Sequence, residues 1–181
     1  MNSVGLIEVK NISKGLKVTD EMLKSAGVTL LQSGAVCPGK FVTLVGGDLS
    51  AVQAAVDRAV LAAEESLIDQ FVIGRLGDRI FEALAGIADV PEKKALGLIE
   101  TFTAASAILA ADAAVKAADV CLIEVRIARG MGGKSFVSLT GDVSDVQAAV
   151  EAGARIPAQE GVLINTEVIA SPHPDLWAAV I

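Results

Sequence analysis

The second half of this chain repeats the first, block by block, and no other feature constrains the fold as strongly. GDLSAVQAAVDRA from Gly47 returns as GDVSDVQAAVEAG from Gly141. VGLIEV from Val4 matches LGLIET from Leu96, and LKSAGVTLL from Leu23 matches VKAADVCLI from Val115. PGKF aligns with GGKS, and FVIG from Phe71 aligns approximately with EVIA from Glu167. Leu96 lies 92 residues after Val4 and Glu167 lies 96 after Phe71, so the copies differ only by small insertions. The chain is a tandem duplication. Pro91 and the charges of ADVPEKK, residues 88–94, mark a linker, which puts the two domains at 1–90 and 91–181.

Each half reads as β-α-β-β-α-β. Val4 to Lys10 alternates as a strand, with Val4, Leu6 and Val9 among its apolar positions. Lys17 to Ala26 reads as a helix, with Thr19 as N-cap ahead of Asp20 and Glu21 and with Gly27 as the stop. Val28–Leu31 and Phe41–Val45 are short β-rich runs around the segment GAVCPGKF. Ser50 reads as the cap of a second helix whose Val52, Val56 and Val60 recur every four residues, and Leu67–Ile73 is a last strand. This is the ferredoxin-like order, repeated from Leu96 to Ile169.

Composition narrows the function class. Of 181 residues, 52% are hydrophobic, mostly alanine and valine, and 3% are aromatic, which favours thin, closely packed layers. Only 20% are charged, so extra surface is expected to be buried between subunits. The net charge of −7 and the lack of a basic stripe argue against nucleic acid. Met1 leads directly into the alternating SVGLIEVK, so no signal peptide is expected. No run of 18 uncharged apolar residues predicts a membrane span. Two cysteines without a secretory signal fit a reducing cytoplasm. There is no P-loop, no GxGxxG after a strand, no HExxH and no GxSxG. The glycines of RGMGGK from Arg129 align with the PGK turn, so they read as a loop and not as a phosphate cradle.

A family resemblance now becomes specific. The run LGLIETFTAASAILAADAAVKAADVCLIEV, a glycine loop and then GDVSDVQAAVEAG together resemble a bacterial microcompartment shell domain. VIASPHPDLW resembles that family's strand exit. Both halves match over almost their whole length, so the chain is identified as a member of the tandem-domain shell proteins. The resemblance implies an α/β (α+β) fold of two tandem ferredoxin-like shell domains. It further implies a pseudohexameric homotrimer with six domains around a central pore, tiling with other microcompartment shell proteins. Such a protein is not an enzyme, and its place is the microcompartment shell in the cytoplasm.

At a finer level, CPGKF, GMGGK and Trp177 resemble the tandem shell proteins of propanediol-utilisation microcompartments. That likeness implies a [4Fe–4S] cluster on the three-fold axis, held by Cys37 from each subunit. Spacing alone reads Cys37 as a free thiol on a surface turn. One cysteine cannot hold a cluster, but three symmetry copies supply the three thiolates that one needs. The pore loop would then comprise Val36, Pro38, Gly39 and Lys40. Pro38 fixes the backbone, Gly39 permits close approach, and Lys40 offsets thiolate charge. Such a cluster passes electrons through the shell or exchanges with encapsulated redox enzymes. The alternative is a cluster-free pore for small metabolites, and a third reading is a ferredoxin-like small-molecule sensor.

Other residues carry weaker readings. The resemblance puts Lys24 and Lys116 at the tile edge, with Arg75 assisting, while Ser171 stands where the family commonly has arginine. Their plain reading is solvated helix lysines. Cys121 reads as a small buried hydrophobe, and His173, between two prolines, as structural. Trp177 is expected to pack on a neighbouring surface. Glu8 and Glu100 are repeat equivalents, not a catalytic dyad.

Overall fold

A strand buried on both faces must sit in the middle of its sheet, and the apolar run SVGLIEV does so. The computed structural model describes residues 3–128 and 130–180. In the first repeat β1 (Ser3–Val9) is followed by α1 (Ile12–Ser25) and then by a hairpin of β2 (Thr29–Val36) and β3 (Lys40–Gly47). Helix α2 (Leu49–Ala63) and β4 (Leu67–Ile73) complete it. After a short α3 (Ile80–Ala85), the second repeat runs β5 (Ala95–Thr101), α4 (Ala104–Ala117), β6 (Val120–Ile127), β7 (Ser135–Gly141), α5 (Val143–Gln159) and β8 (Leu163–Ile169). A last short helix, α6, spans Trp177–Val180. The two sheets have the orders β2-β3-β1-β4 and β6-β7-β5-β8, all pairs antiparallel. The predicted topology is the one observed, in both halves.

The two compact units are Met1–Leu76 with Ala128–Gly133, and Gly77–Ile127 with Lys134–Ile181. Residues 77–90, which the sequence assigns to the first domain, pack with the second unit. Helix α3 lies on β6, Asp112 Oδ1 accepts the Gly77 N–H at 2.7 Å, and Arg79 Nη2 donates to the Asp89 carbonyl at 2.6 Å. The repeat offset also finds its physical form. Helix α5 has 17 residues and α2 has 15, which accounts for the later insertion.

In the first unit Ile7 and Val9 of β1 and Phe41 and Val45 of β3 face Val18, Met22, Ala55, Val56 and Ala59. The layer is thin because small residues allow it. A Cβ on Gly15 would lie 2.4 Å from Phe41 Cβ, so α1 rests directly on that ring. Helix α1 starts at Ile12 after the N-cap Asn11, earlier than predicted. Thr19 is no cap: it is buried in mid-helix, where Oγ1 donates to the Gly15 carbonyl at 2.8 Å and lies 2.6 Å from Thr43 Oγ1. Asp48, not Ser50, is the N-cap of α2. Ala26 ends α1 in an extended conformation, without a left-handed glycine.

The second unit is tighter still. At Gly153 an added Cβ would lie 2.7 Å from the Ala110 carbonyl oxygen and 2.6 Å from Ile99 Cδ1, so α4 and α5 meet at a bare backbone. The equivalent residue of the first repeat is Ala59, already carrying a methyl group. We expect Gly153→Ala to destabilise by about 1–3 kcal/mol through overpacking. Urea unfolding would read this as a lower midpoint at unchanged slope. On the other sheet face Trp177, 6% exposed, packs with Leu96 and Ile123. Trp177 therefore covers its own sheet, not a neighbouring surface. Among the described residues no helix is long and apolar enough to cross a membrane.

Candidate functional site

Cys37 occupies the tip of the β2–β3 hairpin. Val36 pairs with Lys40 as the last rung of the ladder, which leaves Cys37, Pro38 and Gly39 as the turn. The Gly39 N–H donates to the Val36 carbonyl at 3.0 Å, and Gly39 has a φ of 92°, the left-handed region that favours glycine. The Cys37–Pro38 peptide is cis. Cys37 is a half-buried free thiol, while Pro38 and Gly39 are exposed. A Cβ on Gly39 would meet nothing within 4 Å, so this side of the tip is open.

The opposite side is covered. The Cys37 N–H donates to the Ala128 carbonyl at 2.7 Å. Gly133, with φ of 93°, is buried so close that a Cβ there would lie 2.8 Å from Pro38 Cδ and 3.2 Å from the Cys37 carbonyl oxygen. Residues 128–133, the glycine loop between β6 and β7, thus belong to the first unit together with the thiol hairpin. Repeat alignment pairs Gly133 with Gly39, but nothing in the sequence shows where the loop packs. Arg129 lies outside the described residues.

Lys40 pairs with the central strand. Its Nζ lies 2.8 Å from Glu8 Oε1, and the Glu8 side chain is fully buried on β1. A charge at that depth is stable only when paired. In the second repeat the equivalent Glu100 is half-buried, Lys134 is exposed, and no ion pair joins them. Sequence reasoning saw Glu8 only as a product of duplication. The available signal is a carboxylate near the end of an otherwise apolar strand.

The remaining candidates separate clearly. Lys24 is exposed at the end of α1, with Nζ 2.6 Å from Asp20 Oδ2, and that hydrogen bond and charge hold its ammonium more strongly protonated than usual. Lys116 makes the same bond to Asp112 at 2.6 Å, but Asp112 also accepts the Gly77 amide. Arg75 is exposed two residues beyond β4. Cys121 is only half-buried, contrary to its apolar reading. Its Sγ lies 3.5 Å from Arg79 Nη1 and 3.5 Å from the Asp89 carbonyl, because β6 is an edge strand. His173 is exposed, and its Nδ1 accepts the Asp175 amide at 3.2 Å, a turn-capping role. Ser171 lines a shallow cleft with Lys93, Lys94, Asp142 and Trp177. There Lys94 is bound to Glu92 and Asp142, which raise its pKa well above the usual lysine range. Among the described residues no group of three or more His, Cys, Asp or Glu side chains is placed to hold a metal ion.

The BMC domain model matches residues 3–76 and 95–172. The chain belongs to the BMC-domain shell proteins. It carries two BMC domains in tandem, and α3 and the C-terminal α6 lie outside both. Over 179 residues this shell protein is 39% identical to the bacterial microcompartment shell protein PduT of Citrobacter freundii, covering 99% of this chain and 97% of that one. The shell protein EutM of Salmonella typhimurium matches 83 residues at 42% identity, 46% of this chain and 84% of the relative. A microcompartment protein of Desulfitobacterium hafniense DCB superposes with a TM-score of 0.87 at 44% identity, covering 98% of this chain and 99% of that one. The chain is accordingly a structural component of a microcompartment shell and not an enzyme.

Proposed function

We propose that this shell protein forms a homotrimer in which three Cys37 hairpins meet on the three-fold axis and hold one [4Fe–4S] cluster. The observation that carries this reading is the hairpin tip itself. It offers one thiol and, beside it, a glycine whose added Cβ would meet nothing within 4 Å, and among the described residues no group of three or more His, Cys, Asp or Glu side chains is placed to hold a metal on its own. One such donor fits a cluster only when symmetry copies share it, and three copies supply the thiolates for three irons. The fourth iron is left to water or an exogenous ligand. When bound, the cluster supplies one-electron chemistry across the layer, with encapsulated redox enzymes as the exchange partners. The chain's own part is to hold three thiolates at one point and to close the axis around them.

Exposure along the repeat supports the association. Ile12 and Leu16 of α1 are 45% and 59% exposed, whereas Ala104 and Ile108, 92 residues later on α4, are 0% and 1% exposed. A face left open in one repeat and covered in the other suits head-to-tail contact that closes into a ring. Anaerobic purification, native mass measurement and iron and sulfide analysis test the whole reading. A trimer with one cluster is expected. A colourless trimer that takes up no iron on reconstitution overturns the cluster and leaves an axis that conducts small metabolites.

Trimers then tile with other shell proteins through edges that include Lys24, Lys116 and Arg75. Lys24→Ala removes an exposed helix ion pair of little weight in stability, and Lys116→Ala removes a half-exposed one whose Asp112 keeps the Gly77 amide. Thermal melting and trimer mass are expected to stay unchanged while the sheets seen by electron microscopy are lost. Sheets of parental extent from both variants would remove the edge role.

A further inference from the structure

We infer that Gly133, in the glycine loop of the second repeat, is the residue that positions the Cys37 thiol of the first. The inference deepens the proposed site and rests on Cys37 being its working group. Three observations converge on it. The tip of a three-residue hairpin turn is held by one internal hydrogen bond, Gly39 to Val36, and is otherwise free to swing. Here it is tied from outside its own hairpin, because the Cys37 amide is bound at 2.7 Å to the Ala128 carbonyl. The loop then returns over the turn, and Gly133 lies against Pro38 Cδ and the Cys37 carbonyl with no room for a methyl group. Gly39, its equivalent with nearly the same φ, has empty space around it. The same glycine therefore serves two ends. In the first repeat it leaves its own side of the turn open, and in the second it lets the backbone press the thiol-bearing turn into place.

The contact is specific enough to separate from general loop strain. Gly130 also has a positive φ, 73°, but an added Cβ there meets nothing within 4 Å. Gly130→Ala thus introduces backbone strain without the steric contact, and Gly133→Ala introduces both. The assay is the iodoacetamide alkylation rate of Cys37 in cluster-free trimers, on a Cys121→Ser background so that one thiol reports. Gly133→Ala is expected to change that rate several-fold while Gly130→Ala stays near the parent. Adding Pro38→Ala, which removes the Cδ that the new methyl strikes but not the Cys37 carbonyl oxygen 3.2 Å from it, is expected to cancel part of the Gly133→Ala effect in a double-mutant cycle. Equal rates for the two glycine variants, or strictly additive effects with Pro38→Ala, overturn the inference. Should Gly133→Ala fail to fold, hydrogen exchange of the Cys37 amide in the unmodified protein decides it. Slow exchange is expected, and exchange as fast as an open turn overturns the inference. Because these readings need no cluster, a protein without iron refutes the cluster and leaves the positioning role standing.

Discussion

In the proposed trimer, Cys37→Ser is expected to leave the assembly intact and remove all of the iron. The substitution changes one atom at the end of a short side chain, and the hydrogen bonds that shape the turn are backbone ones. These are the Gly39–Val36 hydrogen bond and the Cys37 amide on Ala128. Neither depends on sulfur, so the hairpin survives. Iron–sulfur clusters are held by thiolates, and a hydroxyl does not replace them. Symmetry amplifies the loss, since one substitution in the gene deletes every protein ligand of the site. Cys121→Ser is expected to keep full iron, because that sulfur contacts Arg79 and Asp89 on an edge strand and belongs to no donor group. Mixing gives a sharper form. In trimers assembled from equal amounts of parent and Cys37→Ser chains, roughly one in eight carries three thiols. Iron should then fall with variant fraction more steeply than a straight line. A linear fall would mean that single chains bind iron independently, and iron retained by Cys37→Ser would end the proposal.

The fold was legible because it is written twice. Strand β4 falls at Leu67–Ile73 in both the reading and the structure, and β1 differs by one residue at each end. Helix α1 was read too short for a definite reason. Its buried stripe is Gly15, Val18, Thr19 and Met22, at the right helical spacing, but two of these four are not apolar. A hydrophobic-period search misses a stripe built from a glycine under a phenyl ring and a threonine bonded to another threonine. At the site, the turn around Cys37 was readable, since Pro-Gly between β-rich runs demands one. The partners of that turn were not. Lys40 reaches Glu8, 32 residues earlier, and Gly133 meets Pro38 from 95 residues away. Such contacts are set by how the elements pack, which local propensity does not encode. Cys121 and Trp177 were misplaced for the same reason. Whether an apolar residue ends in a core or at an edge depends on strand order and on what the C-terminal turn covers.

Lys40→Met is expected to destabilise the protein by about 2–3 kcal/mol, because it strips an ammonium from a carboxylate that has no exposed surface. Breaking a fully buried pair typically costs more. Here the cost is smaller because the Lys40 side chain is 17% exposed and Glu8 makes a further interaction beyond this one. Methionine keeps most of the apolar stem, so lost packing contributes little. The repeat supplies the control. Lys134→Met alters the equivalent lysine, which is exposed and joined to no Glu100 carboxylate, and it should change stability by less than about 0.5 kcal/mol. Urea unfolding at matched chain concentration compares the two, since assembly of the proposed trimer would make the midpoint concentration-dependent. The double variant Glu8→Leu/Lys40→Met should recover part of the loss, as replacing both charges removes the buried carboxylate that a single substitution leaves without its ammonium. An equal response at Lys40 and Lys134 would mean the buried pair contributes nothing to the hairpin. A selective response at Lys40 ties that hairpin to the central strand, and so gives the thiol turn a second anchor besides the glycine loop.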